Sequence, residues 1–388
     1  MATELAFVLI NPYPIRKSRT GGIIARYLAR TDLRIVGARL YGPSQDLAQA
    51  FSRQMRGLDP NDPGMGDRMA DYVLRNYRPD AATGRSHRTM LLLFEGENAI
   101  HKIRTVTGCV KLSWGSGLTV RDTYGDFVVD HGGHVRYFEP AVLVAESSVQ
   151  AGEALRLWLQ HMSTDSGLVR GALDIPQGDD IEQTLVLLKP DNFRYPSLRA
   201  GNIVDLLSSS GLRMVAIKRF AMSVSQAEAF YAPVKESLQR IFPAFGTERA
   251  AQALSREFGF AVESDNTKPL CERLAPLYAE RQFEDIIEFM TGHRPSVCEP
   301  EQRRLPGNET CLAIVYEGAR AVTVIRDLLG ATDPRKARPG SVRREFGANI
   351  MVNAAHASDS PENAAREIAV VDPAHDDGFA QIIRKYYA

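Results

Sequence analysis

The chain repeats itself, and the repeat limits what it can fold into. Phe7-Val8-Leu9-Ile10 followed by Asn11-Pro12 returns as Leu185-Val186-Leu187-Leu188 followed by Lys189-Pro190, an offset of 178 (190 minus 12). Gly21-Gly22-Ile23-Ile24 returns as Gly201-Asn202-Ile203-Val204, and Leu33-Arg34-Ile35-Val36 as Leu212-Arg213-Met214-Val215 at an offset of 179. Farther on, Phe94-Glu95-Gly96 and Arg104 return as Tyr316-Glu317-Gly318 and Arg326, both at 222, and Asp126-Phe127 returns as Glu345-Phe346 at 219. Self-similarity in fixed order means one domain written twice. The jump from 179 to 222 places extra residues in the middle of the second copy, between Tyr231 and Phe283. That insertion, about 236–280, is rich in Ala, Leu, Glu and Arg and reads as short helices.

Each copy alternates short apolar runs with helical patterns. In the second copy the runs are Leu185–Leu188, Met214–Phe220, Leu312–Tyr316 and Ile350–Ala355, with helical patterns at 201–210, 225–240, 319–329 and 361–369. That order predicts an α/β (α+β) architecture: two ferredoxin-like four-stranded sandwiches with antiparallel sheets, the second carrying a helical insertion. The expected layout is a first domain over 1–162, a linker over 163–183 containing Gly, Pro and Asp179-Asp180, and a second domain over 184–388.

Lys plus Arg equals Asp plus Glu at 47 each, so no global field points to nucleic acid or a membrane surface, and any anionic ligand must be held by local groups. Cys109, Cys271, Cys298 and Cys311 show no paired spacing, which argues for a reducing compartment and against a zinc site. No apolar stretch of membrane-spanning length occurs, and a cytoplasmic protein is expected.

The residues with chemical potential gather in the second copy. Lys189 ends its first strand, where an ammonium can meet a phosphate, and Pro190 stops the strand without needing a ladder donor. Arg326 on the helix after the third strand and Arg343 in the Pro/Gly-rich loop 330–346 offer two guanidinium forks from different elements, suited to a polyphosphate; Thr332 adds a hydroxyl beside them. His356 closes an apolar run just ahead of Ser358-Asp359-Ser360, and Glu367 follows on the next helix, where it can take a proton from either ring nitrogen and support the imidazole as a nucleophile. Tyr231 and Phe283 flank the insertion; a phosphate or histidine contact and a base-stacking role are open to them, beside plain helix-face and core roles. No GxxxxGK[ST] loop occurs, which leaves a P-loop kinase unsupported.

In this order the motifs resemble those of nucleoside diphosphate kinases, over nearly the whole second half. The family's lysine motif matches Lys189-Pro190-Asp191, its tyrosine matches Tyr231 in Tyr231-Ala232-Pro233-Val234-Lys235, and its base-clamp positions match Phe283 and Ile287. Its phosphate-binding arginine, threonine and second arginine match Arg326, Thr332 and Arg343; its Asn-x-x-His-x-Ser-Asp-Ser segment matches Asn353, His356, Ser358, Asp359 and Ser360; its histidine-bonding glutamate matches Glu367. Ala354-Ala355 and Ala357 depart from the family's larger aliphatics and glycine, and the insertion enters the helical hairpin that walls the family's nucleotide cleft.

The resemblance implies transfer of the γ-phosphate of ATP or another NTP to an NDP, ping-pong through phospho-His356. It also implies Mg²⁺ carried mainly by the nucleotide phosphates rather than by a protein cage. The first half resembles the same family without its active centre: Asn11 stands at the lysine, Phe51 at the tyrosine, Ala70 near the base clamp and Val144 at the nucleophile, while Arg104 and Arg121 keep the two arginine places. Pairing of identical subunits in the family implies an intrachain pseudo-dimer and leaves further homo-oligomers open. Two other readings stand beside this one: the same chemistry with a specialised nucleotide acceptor, and a nucleotide-binding regulatory or scaffold protein with vestigial activity.

Overall fold

The computed structural model of the chain describes residues 3–56, 63–110, 117–173 and 180–388. Two compact units divide it: Met1–Phe220 with Cys311–Ala388, and Ala221–Thr310.

The first unit is built on one eight-stranded sheet. Its first half contributes β1 (Thr3–Ile10), β2 (Arg34–Tyr41), β3 (Thr89–Glu97) and β6 (Val142–Leu143), with β4 (Asp126–Val129) and β5 (Val135–Glu139) forming a separate ribbon. Around them lie α1 (Pro12–Arg16), α2 (Thr20–Arg30), α3 (Gln45–Met55), α4 (Pro63–Asn76), α5 (Ala99–Thr107), α6 (Val120–Tyr124), α7 (Ser148–Gln160) and α8 (Met162–Asp165). The second half contributes β7 (Ile181–Leu188), β8 (Arg213–Phe220), β9 (Cys311–Ala319) and β10 (Ala355–Ala357), with α9 (Arg199–Ser208) between β7 and β8. The sheet order is β10-β7-β9-β8-β2-β3-β1-β6, antiparallel throughout. Each half therefore has the ferredoxin-like order fourth, first, third, second. β1 and β7 sit inside their half-sheets, and this is why Leu5–Ile10 and Leu185–Leu188 are unbroken apolar runs with every residue buried.

The halves join where β2 meets β8, with Arg39 and Lys218 as Cα partners. Beside that seam α2 packs on α9 through glycines: a Cβ on Gly201 would lie 2.3 Å from the Ala25 backbone nitrogen, and one on Gly21 2.2 Å from that of Asp205. Only glycine permits the approach.

Two expectations are corrected. The last strand does not run from Ile350 to Ala355; Ile350–Ala354 forms bends, and the strand is Ala355–Ala357. Ala354 takes a left-handed conformation (φ +69°), which breaks an extended run that its apolar composition suggests. Likewise the insertion is not a set of short helices. It lies in a hairpin of α10 (Val224–Phe258) and α11 (Ser264–Thr291), which makes up most of the second unit. Pro233, Pro243, Pro269 and Pro276 sit inside these helices. Proline removes one ladder bond, but the flanking turns are held by pairing: Thr267, Cys271, Ala275, Ala279, Phe283 and Ile287 form a buried stripe at four-residue spacing, and Phe242 stacks on Tyr278 with centroids 4.3 Å apart. A Ser223/Gln226 capping box starts α10, and Gly259 in left-handed geometry ends it.

Of the stretch read as a linker, residues 174–179 lie outside the described part. Residues 166–169 are tied across the seam, Gly167 N–H to Leu40 O at 3.0 Å and Val169 N–H to Val215 O at 2.8 Å. After β9 come α12 (Ala321–Leu329), α13 (Val342–Phe346), α14 (Pro361–Val371) and α15 (Asp377–Tyr387). Among the described residues no helix is long and apolar enough to cross a membrane.

Candidate active site

β10 is three residues long, with His356 at its centre, paired to Leu187 of β7. Its imidazole Nε2 lies 2.9 Å from Oε2 of Glu367, on α14. The same oxygen accepts the Ser358 hydroxyl at 2.7 Å. Ser360 caps α14 by accepting the Asn363 N–H, and this cap sets the angle at which Glu367 returns to the strand. Glu367 is buried, so its carboxylate meets His356 with little competing water. With Nε2–H given to the carboxylate, the lone pair of the neutral ring resides on Nδ1. Arg366 places Nη2 3.4 Å from the other oxygen of Glu367. The sequence reading passed over Arg366; the one available clue was its adjacency to the glutamate.

One layer over, Lys189 leaves the end of β7. Its backbone N–H donates to Ala354 O at 2.9 Å, and its ammonium to Met351 O at 2.9 Å and Asn353 Oδ1 at 2.8 Å. The Asn353 amide holds Thr332 O at 3.1 Å and Ile350 O at 2.8 Å. Asn192, also missed in the sequence, ties Lys189 O and Ala354 O together at 3.0 and 2.7 Å. Burial, with the Arg343 guanidinium in support, pushes the Lys189 ammonium down to about 8. Arg343 bonds Gly330 O at 2.9 Å and Ala355 O at 3.2 Å, next to the histidine. Thr332 is exposed, and Arg326 is exposed on the last turn of α12.

The structure thus brings Lys189, Thr332, Arg343, Asn353, His356, Ser358 and Glu367 into one connected network within the first unit. Tyr231, Phe283 and Ile287 belong to the helical unit, all three buried. Tyr231 packs edge-on to Phe230, and the Lys235 ammonium lies 5.3 Å from the Phe283 ring centroid.

The first half repeats the backbone of this site without its lysine. Asn11 N–H donates to Ala141 O at 3.0 Å as Lys189 does to Ala354 O, and Ala141 is left-handed (φ +59°) as Ala354 is. The strand register places Leu143 opposite Leu9, as His356 is opposite Leu187. Leu143, not Val144, is therefore the counterpart of the histidine; the helix caps agree, since Ser147 follows Leu143 at the same spacing as Ser360 follows His356. At the lysine place Glu139 accepts from the Asn11 amide (3.2 Å), Ala141 N–H (2.9 Å) and the Tyr72 hydroxyl (2.6 Å), and Tyr77 donates to Asn11 Oδ1 at 2.6 Å. Arg104 pairs with Glu146, and Arg121 binds Gly108 O and Val142 O. Phe51 stacks among Tyr77 and Trp158, and Ala70 is buried, its carbonyl accepting from Ser52.

The sequence profile of nucleoside diphosphate kinase matches residues 182–246 and 276–376, and the unmatched 247–275 fall in the hairpin. The nucleoside diphosphate kinase of Wolinella succinogenes is 33% identical over 189 residues, 49% of this chain and 93% of that one. The chain belongs to the nucleoside diphosphate kinase family. It is an enzyme of that class, with nucleotides as substrates. The corresponding proteins of Helicobacter pylori and Bdellovibrio bacteriovorus are 32% identical over 195 residues and 31% over 196, covering 50% of this chain and 98% and 96% of theirs. Among solved structures, an NDP kinase from Pyrobaculum aerophilum aligns with 49% of this chain and 94% of its own at 26% identity, with a TM-score of 0.34; membership rests on the sequence relatives.

Proposed function

We propose that the chain moves the γ-phosphate of an NTP to an NDP through a phosphohistidine at His356, with one active centre per chain. The observation that carries this reading is the buried Glu367 carboxylate at 2.9 Å from Nε2, which holds the ring in the tautomer whose nucleophile is Nδ1. In the first step the Nδ1 lone pair forms a bond to the γ-phosphorus, the bond to the β,γ-bridging oxygen breaks, and the NDP leaves with that electron pair. A terminal oxygen of a second NDP then attacks the phosphohistidine, and Nδ1 departs with the electrons of the N–P bond. Glu367 supports the positive charge that develops on the ring in both directions.

Little further covalent chemistry is needed; charge and position carry phosphoryl transfer. Lys189, Arg343 and Arg326 neutralise the phosphates, Thr332 donates to them, and Asn353 aims the ammonium. By resemblance Tyr231 borders this centre while Phe283 and Ile287 clamp the base. The donor set at the lysine is cationic and amide, and among the described residues no cluster of three His, Cys, Asp or Glu side chains is arranged to hold a metal. By resemblance Mg²⁺ would be carried by the nucleotide phosphates and would supply charge screening beside Lys189, Arg343 and Arg326. The shared strand order, with Asn11 at the lysine place and Leu143 at the histidine place, supports reading residues 1–162 as a non-catalytic copy, 163–183 as the connection and 184–388 as the catalytic copy, paired within one chain.

The lengthened α10/α11 hairpin motivates one refinement: the acceptor NDP is restricted to a specialised nucleotide. Intact-mass measurement after mixing with ATP and Mg²⁺ tests the main reading. The wild type gains one acid-labile phosphate and loses it to an added NDP; His356→Ala gains none. Label that persists in His356→Ala overturns the assignment, and a panel of NDP acceptors measures the restriction.

A further inference from the structure

Two cations lie buried where the halves meet. Arg39 of β2 and Lys218 of β8 face each other across the seam, both withdrawn from solvent. Like charges directly opposite on adjacent strands destabilise a sheet, and buried cations without acceptors cost more still. The acceptors come mainly from one segment, residues 371–375. Lys218 Nζ donates to Val371 O, Asp372 O and His375 O at 2.9, 2.9 and 2.7 Å. Arg39 donates from Nη1 to Pro373 O at 3.3 Å and from Nη2 to Ala374 O at 2.6 Å, while its Nε holds Ser166 Oγ at 2.5 Å. Gly167 gives the segment room: a Cβ there would lie 2.9 Å from the Ala374 Cα.

This strap is the direct continuation of α14. Asp372, left-handed at φ +47°, closes the helix with its N–H on Ile368 O at 2.8 Å. Glu367 lies about one turn earlier. Beyond the strap, α15 settles on the first half: Lys385 and Tyr386 bind Glu95 at 3.1 and 2.6 Å, and the Tyr387 hydroxyl donates to Leu5 O at 2.5 Å. The catalytic copy thus packs its last helix on the copy that has leucine at the histidine place.

We propose that the first half is a positioning partner for the active centre: Arg39, together with Lys218, anchors the strap 371–375, and so fixes the end of α14 and the Glu367 carboxylate behind His356. The inference rests on the His356–Glu367 reading, and it assigns Arg39 a role at a distance from any reacting atom. A carboxylate that orients a reacting imidazole works within narrow limits, and loosening its support slows chemistry more than it weakens substrate binding.

The test is steady-state phosphate transfer from ATP to an NDP, per folded chain of the full-length protein, for Arg39→Met, Arg39→Lys, Lys218→Met and the Arg39→Met/Lys218→Met pair. Arg39→Met is expected to lower kcat roughly ten-fold with KM changed less than about two-fold, and Arg39→Lys to recover most of it. Should a single variant fold poorly, the double variant decides. It removes both buried charges together, and in its folded fraction the strap is unanchored, so kcat per folded chain stays low and amide exchange over 368–375 rises. A double variant with wild-type kcat, or an Arg39→Met loss that follows the folded fraction alone, overturns the proposal. Label persisting in His356→Ala would remove the catalytic reading instead, so the two failures are told apart.

Discussion

Raising the pH through 8 should weaken the enzyme's hold on nucleotide while stabilising its fold. The Lys189 ammonium, ordinarily near 10.5, is pushed down to about 8 by burial and by Arg343. The gap between these two values corresponds to about 3 to 4 kcal/mol, at about 1.4 kcal/mol for each tenfold change in proton affinity. The sign follows from proton binding. Between about 8 and 10.5 the unfolded chain holds this proton and the folded one has released it, so stability grows with pH across that window. Below 8 both states are protonated and the folded state carries the whole cost. Substrate binding runs the other way, because the neutral amine offers no charge to the γ-phosphate.

The assays are kcat/KM from pH 6.5 to 10 and urea unfolding over the same range, for the wild type and Lys189→Met. Their difference isolates Lys189 from Lys218, whose ammonium burial also lowers, and from the buried Tyr27, Tyr41 and Tyr316, whose raised values act oppositely above pH 10. Wild-type kcat/KM should fall about ten-fold per unit above 8 while its stability gains about 2 to 3 kcal/mol on the variant by pH 10. At pH 7 the substitution removes the burial cost of about 3 to 4 kcal/mol but orphans two acceptors, Met351 O and Asn353 Oδ1, at about 1 to 3 kcal/mol each. The terms nearly cancel, so Lys189→Met should stay folded and lose activity. If the wild type gains no stability on the variant between pH 8 and 10, the buried-ammonium argument fails.

Three further outcomes are expected. Glu367→Ala should slow phosphoenzyme formation in single-turnover mixing by roughly 10- to 100-fold with nucleotide affinity little changed; an equal rate would mean that the 2.9 Å contact does not orient the ring. Gly201→Ala should cost about 1 to 3 kcal/mol in urea unfolding, since its Cβ would lie 2.3 Å from the Ala25 backbone; an unmoved midpoint refutes the close α2–α9 approach. Leu143→His in a His356→Ala background should give no acid-labile phosphate by intact mass, because Asn11 and Glu139 supply no cation there; phosphorylation would overturn the reading of the first half as inert.

What the sequence disclosed depended on whether the information was local. The half-sheets were legible because buried strands leave apolar runs, as at Leu185–Leu188, and because the repeat supplied each run twice. Network members such as Lys189, His356 and Glu367 stood at fixed spacings in motifs. Three things were hidden. The extent of α10 and α11 depends on each helix packing against the other, which composition alone, read as short helices, does not show. The end of the β10 run turns on one left-handed residue, Ala354, whose identity does not announce it. And Leu143 was passed over for Val144 because the segment 141–148 shares almost no side chains with 353–360 to set the match; the strand register and the two helix caps, Ser147 and Ser360, agree on one constant offset that pairs Leu143 with His356.

The comparison between halves separates scaffold from chemistry. Both copies end their central strand on the same hydrogen bond, 3.0 Å in one and 2.9 Å in the other, and both bring the incoming strand through a left-handed alanine. The backbone that presents a residue at the histidine place thus survives where the residue is leucine. The ion beside it does not survive. Asn11 stands where Lys189 does and holds the Glu139 carboxyl, which burial pushes above the usual range although three donors oppose the shift. A carboxylate there would repel a polyphosphate, and a neutral carboxyl offers it one proton where Lys189 offers a full charge. Restoring a histidine alone is therefore insufficient: the cation at the strand end must come back first. Free of that constraint, the first half keeps its fold for what it still touches, the β2–β8 seam and the strap that leaves α14.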